Sequence, residues 1–320
     1  MTEILIISLS VLVFLLLAFL FAFYFSFYYT FKRHKKEPPM YYNLDGEDKH
    51  GRKAFSRKVI DDFLALSPSE EVKIKSHDGL SLCARLYMKD EKAPFEIAFH
   101  GYRGIAERDF SGGGMESLIR SHNLLLVDQR AHGESEGDVI SFGILERLDV
   151  LSWTRYVAEK YPENEIILLG LSMGAASVLM ASDLPLENVS CILADCPYSS
   201  PKKIIKKVIS DMHLPRFMFY PILRLSAKIL GKFDLESADA VSSAKKSEIP
   251  ILIVHGQGDK FVPVEMSREI KKANPKIKLV EFPDAPHGLS YIYDRDRYAG
   301  EMTEFIKENL KGKGQKNDKN

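Results

Sequence analysis

The sequence predicts an α/β protein: a mostly parallel, doubly wound sheet with a small helical cap, preceded by an N-terminal transmembrane helix. Three observations predict it. From Phe95 onward, short apolar runs of strand length alternate with longer helical patterns, the order that builds βαβ units. At Gly170-Leu171-Ser172-Met173-Gly174 an apolar run over 166–169 meets the small-residue run Ala175-Ala176-Ser177, so strand, sharp turn and helix follow one another directly. At the N-terminus, residues 4–31 form an uncharged run of 28 residues rich in Leu, Phe, Val and Ile.

Taken in chain order, that first run makes a helix of about 42 Å, enough to cross a bilayer core of about 30 Å with tilt. It lacks the basic start, short apolar core and A-x-A-like site of a cleaved signal, so it reads as a retained anchor. Lys32-Arg33-His34-Lys35-Lys36 follow at once and only Met1-Thr2-Glu3 precede. The positive-inside rule then places the rest of the chain in the cytoplasm, with Tyr24, Tyr28 and Tyr29 at the inner interface. Residues 1–36 are thus anchor and basic flank. Residues 37–69 are a linker (38–52) and a lead-in helix (54–66), and 70–310 are the globular domain. The polar, glycine-containing stretch 311–320 reads as a frayed tail.

Inside the domain, 72–74 and 80–86 read as an antiparallel hairpin across His77-Asp78-Gly79 at the sheet edge. Buried-strand runs follow at 95–99, 124–127, 166–169 and 249–254, and 278–282 alternates as a strand should. Helices are expected over 142–161, 173–181, 264–273 and 298–310. Gly112-Gly113-Gly114 follows no strand that could make it a phosphate cradle and reads as a flexible loop opening a helix. The stretch 198–234, between two strands, is an insertion expected to fold as a helical cap over the site. From Ser199 to Phe233 it carries eight basic residues against one acidic residue, Asp211, with apolar residues interleaved. It reads either as a lid near anionic headgroups or as a cap with a solvated basic face.

The chemistry sits at the predicted carboxyl ends of strands, where open α/β sheets collect their sites. A serine at a strained strand-to-helix turn projects its Oγ, and the Met173 amide behind it sits at a helix N-terminus, able to hold an oxyanion. Serine is a weak nucleophile unless a histidine takes its proton and a carboxylate orients that histidine. Downstream, Asp259 follows the run at 249–254 and His287 follows the strand at 278–282. Asp284 and Asp195 are rival acids, Asp284 being better read as a turn residue before Pro286. The second oxyanion donor is expected from His100-Gly101-Tyr102, as the Tyr102 amide after a glycine free to turn. His100 reads as structural, as do Asp128, Arg130 and His132.

Through His100-Gly101, the loop Asp128 to Ser135, the Ser172 turn, Gly258-Asp259 and Pro286-His287-Gly288, residues 70–310 resemble the α/β-hydrolase superfamily. Within it they look most like bacterial membrane-anchored α/β-hydrolase-domain proteins. The resemblance implies an α/β-hydrolase fold and a catalytic set Ser172, Asp259 and His287, with Tyr102 and Met173 at the oxyanion hole. It departs from the family pattern at Ala131, where glycine is frequent. Dehalogenase and epoxide hydrolase activities, which use an aspartate at the turn, are not expected.

The expected activity is a carboxylesterase or lipase-like serine hydrolase acting on a small ester, a lipid or a thioester. The alternatives are a peptidase or amidase on the same fold, or a non-catalytic binding protein at the membrane. No cofactor and no metal are implied. With 44 basic and 44 acidic side chains the formal net charge is zero, which argues against a nucleic-acid partner. The three cysteines, Cys83, Cys191 and Cys196, read as reduced core residues suited to the cytosol.

Overall fold

The computed structural model describes residues 2–34, 39–40 and 51–310. Lys35, Lys36, most of the expected linker and the expected tail lie outside the described residues. The chain opens with α1 (Thr2–Phe31) and α2 (Arg52–Leu64), then β1 (Glu70–Lys75), β2 (Ser81–Tyr87), β3 (Phe95–Phe99), α3 (Ala106–Asp109), α4 (Ser111–Ile119) and β4 (Asn123–Asp128). It continues with α5 (Glu146–Lys160), β5 (Ile166–Leu171), α6 (Met173–Ala181), β6 (Val189–Asp195), α7 (Pro201–Asp211), α8 (Arg216–Leu230) and α9 (Ala240–Lys246). The last elements are β7 (Ile251–Gly256), α10 (Glu265–Ala273), β8 (Lys278–Phe282), α11 (Ser290–Tyr293) and α12 (Arg295–Asn309).

The strands form one eight-stranded sheet in the order β1-β2-β4-β3-β5-β6-β7-β8. β2 is antiparallel to β1 and β4, and every later pairing is parallel, as the edge hairpin and the βα alternation predict. β3, β4 and β7 are buried at every position, which is why their sequences run apolar without alternation. Successive side chains feed two cores. Ile97, Phe99, Leu125 and Val127 face the α5 and α6 side, with Trp153 and Val178; Ala98, Leu124 and Leu126 face the side closed by Phe63 of α2 and Phe305 of α12.

Two expectations fail here. Gly112, Gly113 and Gly114 are not a loop but lie within α4. A Cβ on Gly112 would stand 2.5 Å from the Tyr291 ring, so the close approach of α11 overrides weak helix propensity. The insertion 198–234 does form helices, α7 and α8, yet it supplies none of the residues that line the cavity beside Ser172. The reason is α1. Its last turns lie along α8, and Phe27 and Phe31 share a core with Tyr220, Leu223 and Ala227. Phe31 is fully buried, its ring edge-on to both Phe142 and Phe233 at 5.8 and 5.4 Å. Backbone pairing seals the junction, with Ile140 N donating to Phe31 O at 2.7 Å and Arg33 N to Asp138 O at 2.8 Å. Upstream, α1 is long and apolar enough to cross a membrane, and its most apolar stretch is unburied.

Candidate active site

β5 ends at Leu171 and α6 starts at Met173, so Ser172 alone makes the turn, at φ 54° and ψ −110°. That conformation costs a side-chain-bearing residue on the order of 1–3 kcal/mol and lifts Oγ clear of the strand end. It is over-determined by its surroundings. The Ser172 amide donates to Asp195 O at 2.8 Å, and a Cβ on Gly174 would lie 1.8 Å from Phe99 O, a contact only glycine permits.

His287 stands in the turn after β8, its Nε2 2.8 Å from Ser172 Oγ and its Nδ1 2.6 Å from Asp259 Oδ2. Asp259, in the turn after β7, accepts at Oδ1 from the amides of Phe261 (2.9 Å) and Val262 (2.8 Å). Sequence reasoning missed His255, whose Nε2 lies 3.3 Å from Asp259 Oδ2 and 2.8 Å from Val262 O, with Ser267 Oγ 2.7 Å from Nδ1. Its signal was the four-residue spacing to Asp259. Burial alone would raise the Asp259 carboxyl. The hydrogen bonds from His255 and His287 outweigh it and hold the group well below the usual carboxylate range. The Phe261 ring lies edge-on to His287 at 5.2 Å.

Neither rival acid hydrogen-bonds His287 among the described residues. Asp284 is exposed, at φ 57° in its turn. Asp195 is buried, its Oδ2 accepting from Tyr298 Oη at 3.0 Å, and burial raises its carboxyl from 3.8 to about 6 against that hydrogen bond.

The loop after β3 packs against the Ser172 turn, where a Cβ on Gly101 would lie 3.6 Å from Ser172 Cβ. Met173 is the first residue of α6, so no intrahelical carbonyl takes its N–H. In the loop after β3, the amide of Gly101 donates to Asp109 Oδ2, that of Arg103 to His132 Nε2 and that of Gly104 to Gly101 O. Among the described residues the Tyr102 amide alone in this run has no acceptor. The two side chains that follow Gly101 reach back to α1: Tyr102 Oη donates to Thr30 O at 2.9 Å and Arg103 Nη2 to Tyr29 O. They thus satisfy carbonyls that the end of α1 leaves open.

The loop after β4 braces this one. His100 lies 2.8 Å from Gly101 O through Nδ1 and accepts the Gln129 amide at Nε2. His132 accepts the Arg103 amide, and burial together with nearby His100 keeps its ring neutral. Arg130 bonds Asp149 and Asp78, and Asp128 bonds Arg85. Ala131 sits at φ 62°, which explains why glycine suits that position.

A cavity of about 680 Å³ opens beside Ser172 and His287. Its apolar wall is Leu169, Leu193, Val254, Ile292 and Met302, and α2 covers it with Ser56 and Ile60. The lead-in helix therefore does the covering expected of the insertion. Cys196 Sγ, an Asp259 oxygen and a His287 nitrogen lie within 4.8 Å of one another, but Asp259 and Ser172 already engage both His287 nitrogens. The burial that raises the Cys196 thiol keeps it protonated.

No family model matches the chain. It is similar to the uncharacterized protein YqkD of Bacillus subtilis (strain 168), 26% identical over 189 residues, 58% of this chain and 62% of that one. It is also similar to a monoglyceride lipase of Rattus norvegicus, 28% identical over 186 residues, 54% and 55% of the two chains. The chain thus spans less than two thirds of either curated relative. Among solved structures it matches a Pyrococcus furiosus esterase, Pf2001, with a TM-score of 0.64 at 23% identity, covering 78% of this chain and 94% of that one.

Proposed function

From the α/β-hydrolase fold of this chain and the series Ser172–His287–Asp259 at its strand ends, we propose a serine hydrolase that cleaves carboxylic esters. The observation that carries this reading is the continuous hydrogen bonding from Ser172 Oγ through both nitrogens of His287 to a carboxylate kept ionised. Ser172 Oγ attacks the ester carbonyl carbon as His287 Nε2 takes its proton. The oxyanion rests between the Met173 and Tyr102 amides. Collapse breaks the bond to the leaving oxygen, or sulfur in a thioester, which takes the proton from His287. Water, deprotonated by the same nitrogen, then attacks the acyl-enzyme, releases the acid and restores Ser172. Asp259 holds the Nδ1–H and stabilises the imidazolium.

The apolar wall supports an acyl group as the part of the substrate that is buried, and the likeness to a monoglyceride lipase supports a lipid-like ester. α1 reads as a retained anchor rather than a cleaved leader, because its last turn is core: removal would expose the cavity that Phe31 fills between Phe142 and Phe233. Lys32 and Arg33 after α1 support a cytoplasmic catalytic domain.

The test is hydrolysis of p-nitrophenyl esters of increasing acyl length by the full chain in detergent, beside Ser172→Ala. Loss of roughly three orders of magnitude or more in kcat is expected, with preference for longer acyl chains. Long-chain activity retained by Ser172→Ala overturns the mechanism.

A further inference from the structure

α8 has two apolar faces, and only one is used by the fold. Tyr220, Leu223 and Ala227 are buried against the domain and α1. Met218, Ile222, Leu225 and Ile229 recur at i, i+4, i+7 and i+11 and so form a separate stripe on one side of the helix. That stripe is on the surface, with Met218 52%, Leu225 41% and Ile229 59% exposed, and Phe217 beside it at 78%. Among the described residues outside α1, ten large apolar side chains are exposed; four are on α8 and a fifth, Met212, is in the turn before it. An ordinary soluble surface scatters such residues rather than aligning them.

We propose that this stripe lies in the lipid interface beside α1, so that the insertion seats the domain on the bilayer instead of closing over the cavity. The proposal rests on α1 spanning the membrane. Of the uncharged run, about 20 residues suffice to cross the hydrocarbon core. The remainder, the last turns of α1, are those that pack along α8, which puts α8 where hydrocarbon gives way to headgroups. Lipid that coats the exposed side of α1 there continues onto the stripe. Charge points the same way. Most of the basic side chains that suggested an anionic partner are already paired: Lys202 with Glu236, Lys203 with Glu269, Lys207 with Asp211, and both Arg224 and Lys228 with Asp234. What the surface offers is apolar contact, with exposed Arg216 and Lys232 at the two ends of α8 placed to reach headgroups.

The experiment uses the full chain in phosphatidylcholine vesicles with an environment-sensitive fluorophore at Met218→Cys or Ile229→Cys. The three native cysteines are buried, and the unsubstituted protein controls for their labelling. Leu12→Cys reports on α1, and Glu248→Cys, exposed before β7, reports on the far side of the domain. Lipids carrying a shallow nitroxide should quench the 218 and 229 probes several-fold more than the 248 probe, high salt should leave the difference intact, and lipids carrying a nitroxide deep in the acyl chain should quench the Leu12 probe. If Leu12 is quenched while 218 and 229 behave like 248, the docking of α8 is overturned and the anchor stands. If Leu12 is not quenched, both fall. If emission at 218 and 229 responds to the protein-to-lipid ratio and not to nitroxide lipid, the stripe belongs to a second copy of the chain, and the lipid assignment is overturned.

Discussion

Asp259 is held by two backbone amides, by His255 and by His287, and this clustering separates it from every other carboxylate near Ser172. Asp259→Asn leaves the shape but loses the acceptor that fixes the imidazole, so kcat should fall by about 10⁴ at neutral pH, while Asp284→Asn should leave it unchanged. Comparable losses in the two variants would mean that the acid is misassigned. Asp195 makes a different prediction, through stability. Burial raises its carboxyl from 3.8 to about 6, so the folded chain holds that proton more tightly than the unfolded one does. The resulting stabilisation is complete below pH 4 and is lost as pH rises through about 6. Above that, the folded state carries a buried anion that Asn would not. The Tm of Asp195→Asn, compared with the parent protein, should therefore improve progressively between pH 4 and pH 6, by the equivalent of about 2–3 kcal/mol. A difference independent of pH would show that Asp195 is ionised in the fold throughout.

At the scale of elements, the end of α1 matters most, because it is both the last turn of a helix long and apolar enough to cross a membrane and part of the domain core. Phe31→Ala should cost about 3–5 kcal/mol of domain stability. It should also lower turnover of a soluble short-chain ester, since Thr30 O and Tyr29 O receive the side chains that follow Gly101. A helix that merely tethered the domain would leave both measurements unchanged. This element also marks where the sequence stops being legible. Ser172, Asp259 and His287 could be found because each sits in a short run whose neighbours fix its turn, and the strand runs were plain because both faces are buried. The run at 4–31 is apolar throughout, yet most of it is unburied while Phe23, Phe27 and Phe31 are buried in protein, and hydrophobicity alone cannot tell one part from the other. The same ambiguity misplaced the insertion: its amphipathic helices fit a lid, but which helix meets their apolar side depends on the path of α1. His255 was passed over because a buried histidine bonded to a carbonyl and a serine looks like any core histidine until Asp259 is seen beside it.

For the whole molecule, the consequence is a fixed distance between the cavity and the end of α1. Arg103 and Met40 line both the cavity beside Ser172 and a second one of about 490 Å³, whose wall includes Arg33 and His34 directly after α1. The Tyr102 and Arg103 side chains bind the end of α1 itself, so the domain cannot swing away on a slack linker. With α1 in a bilayer, the bonds from Tyr102 and Arg103 hold the loop after β3 close to the membrane surface, and a long-chain ester taken from that bilayer is spared full transfer through water, where each exposed methylene costs about 0.8 kcal/mol. The rate on a long-chain ester should therefore follow its mole fraction in the vesicle that holds the protein, not its bulk concentration. Long-chain ester placed in separate, protein-free vesicles should be hydrolysed at least about tenfold more slowly, since it must first leave its own bilayer at a cost that grows with every methylene. A water-soluble short-chain ester should show no such dependence. Equal rates on long-chain ester in the same and in separate vesicles would mean that the cavity draws its substrate from solution, and that the rigid junction of α1 with the domain serves stability alone.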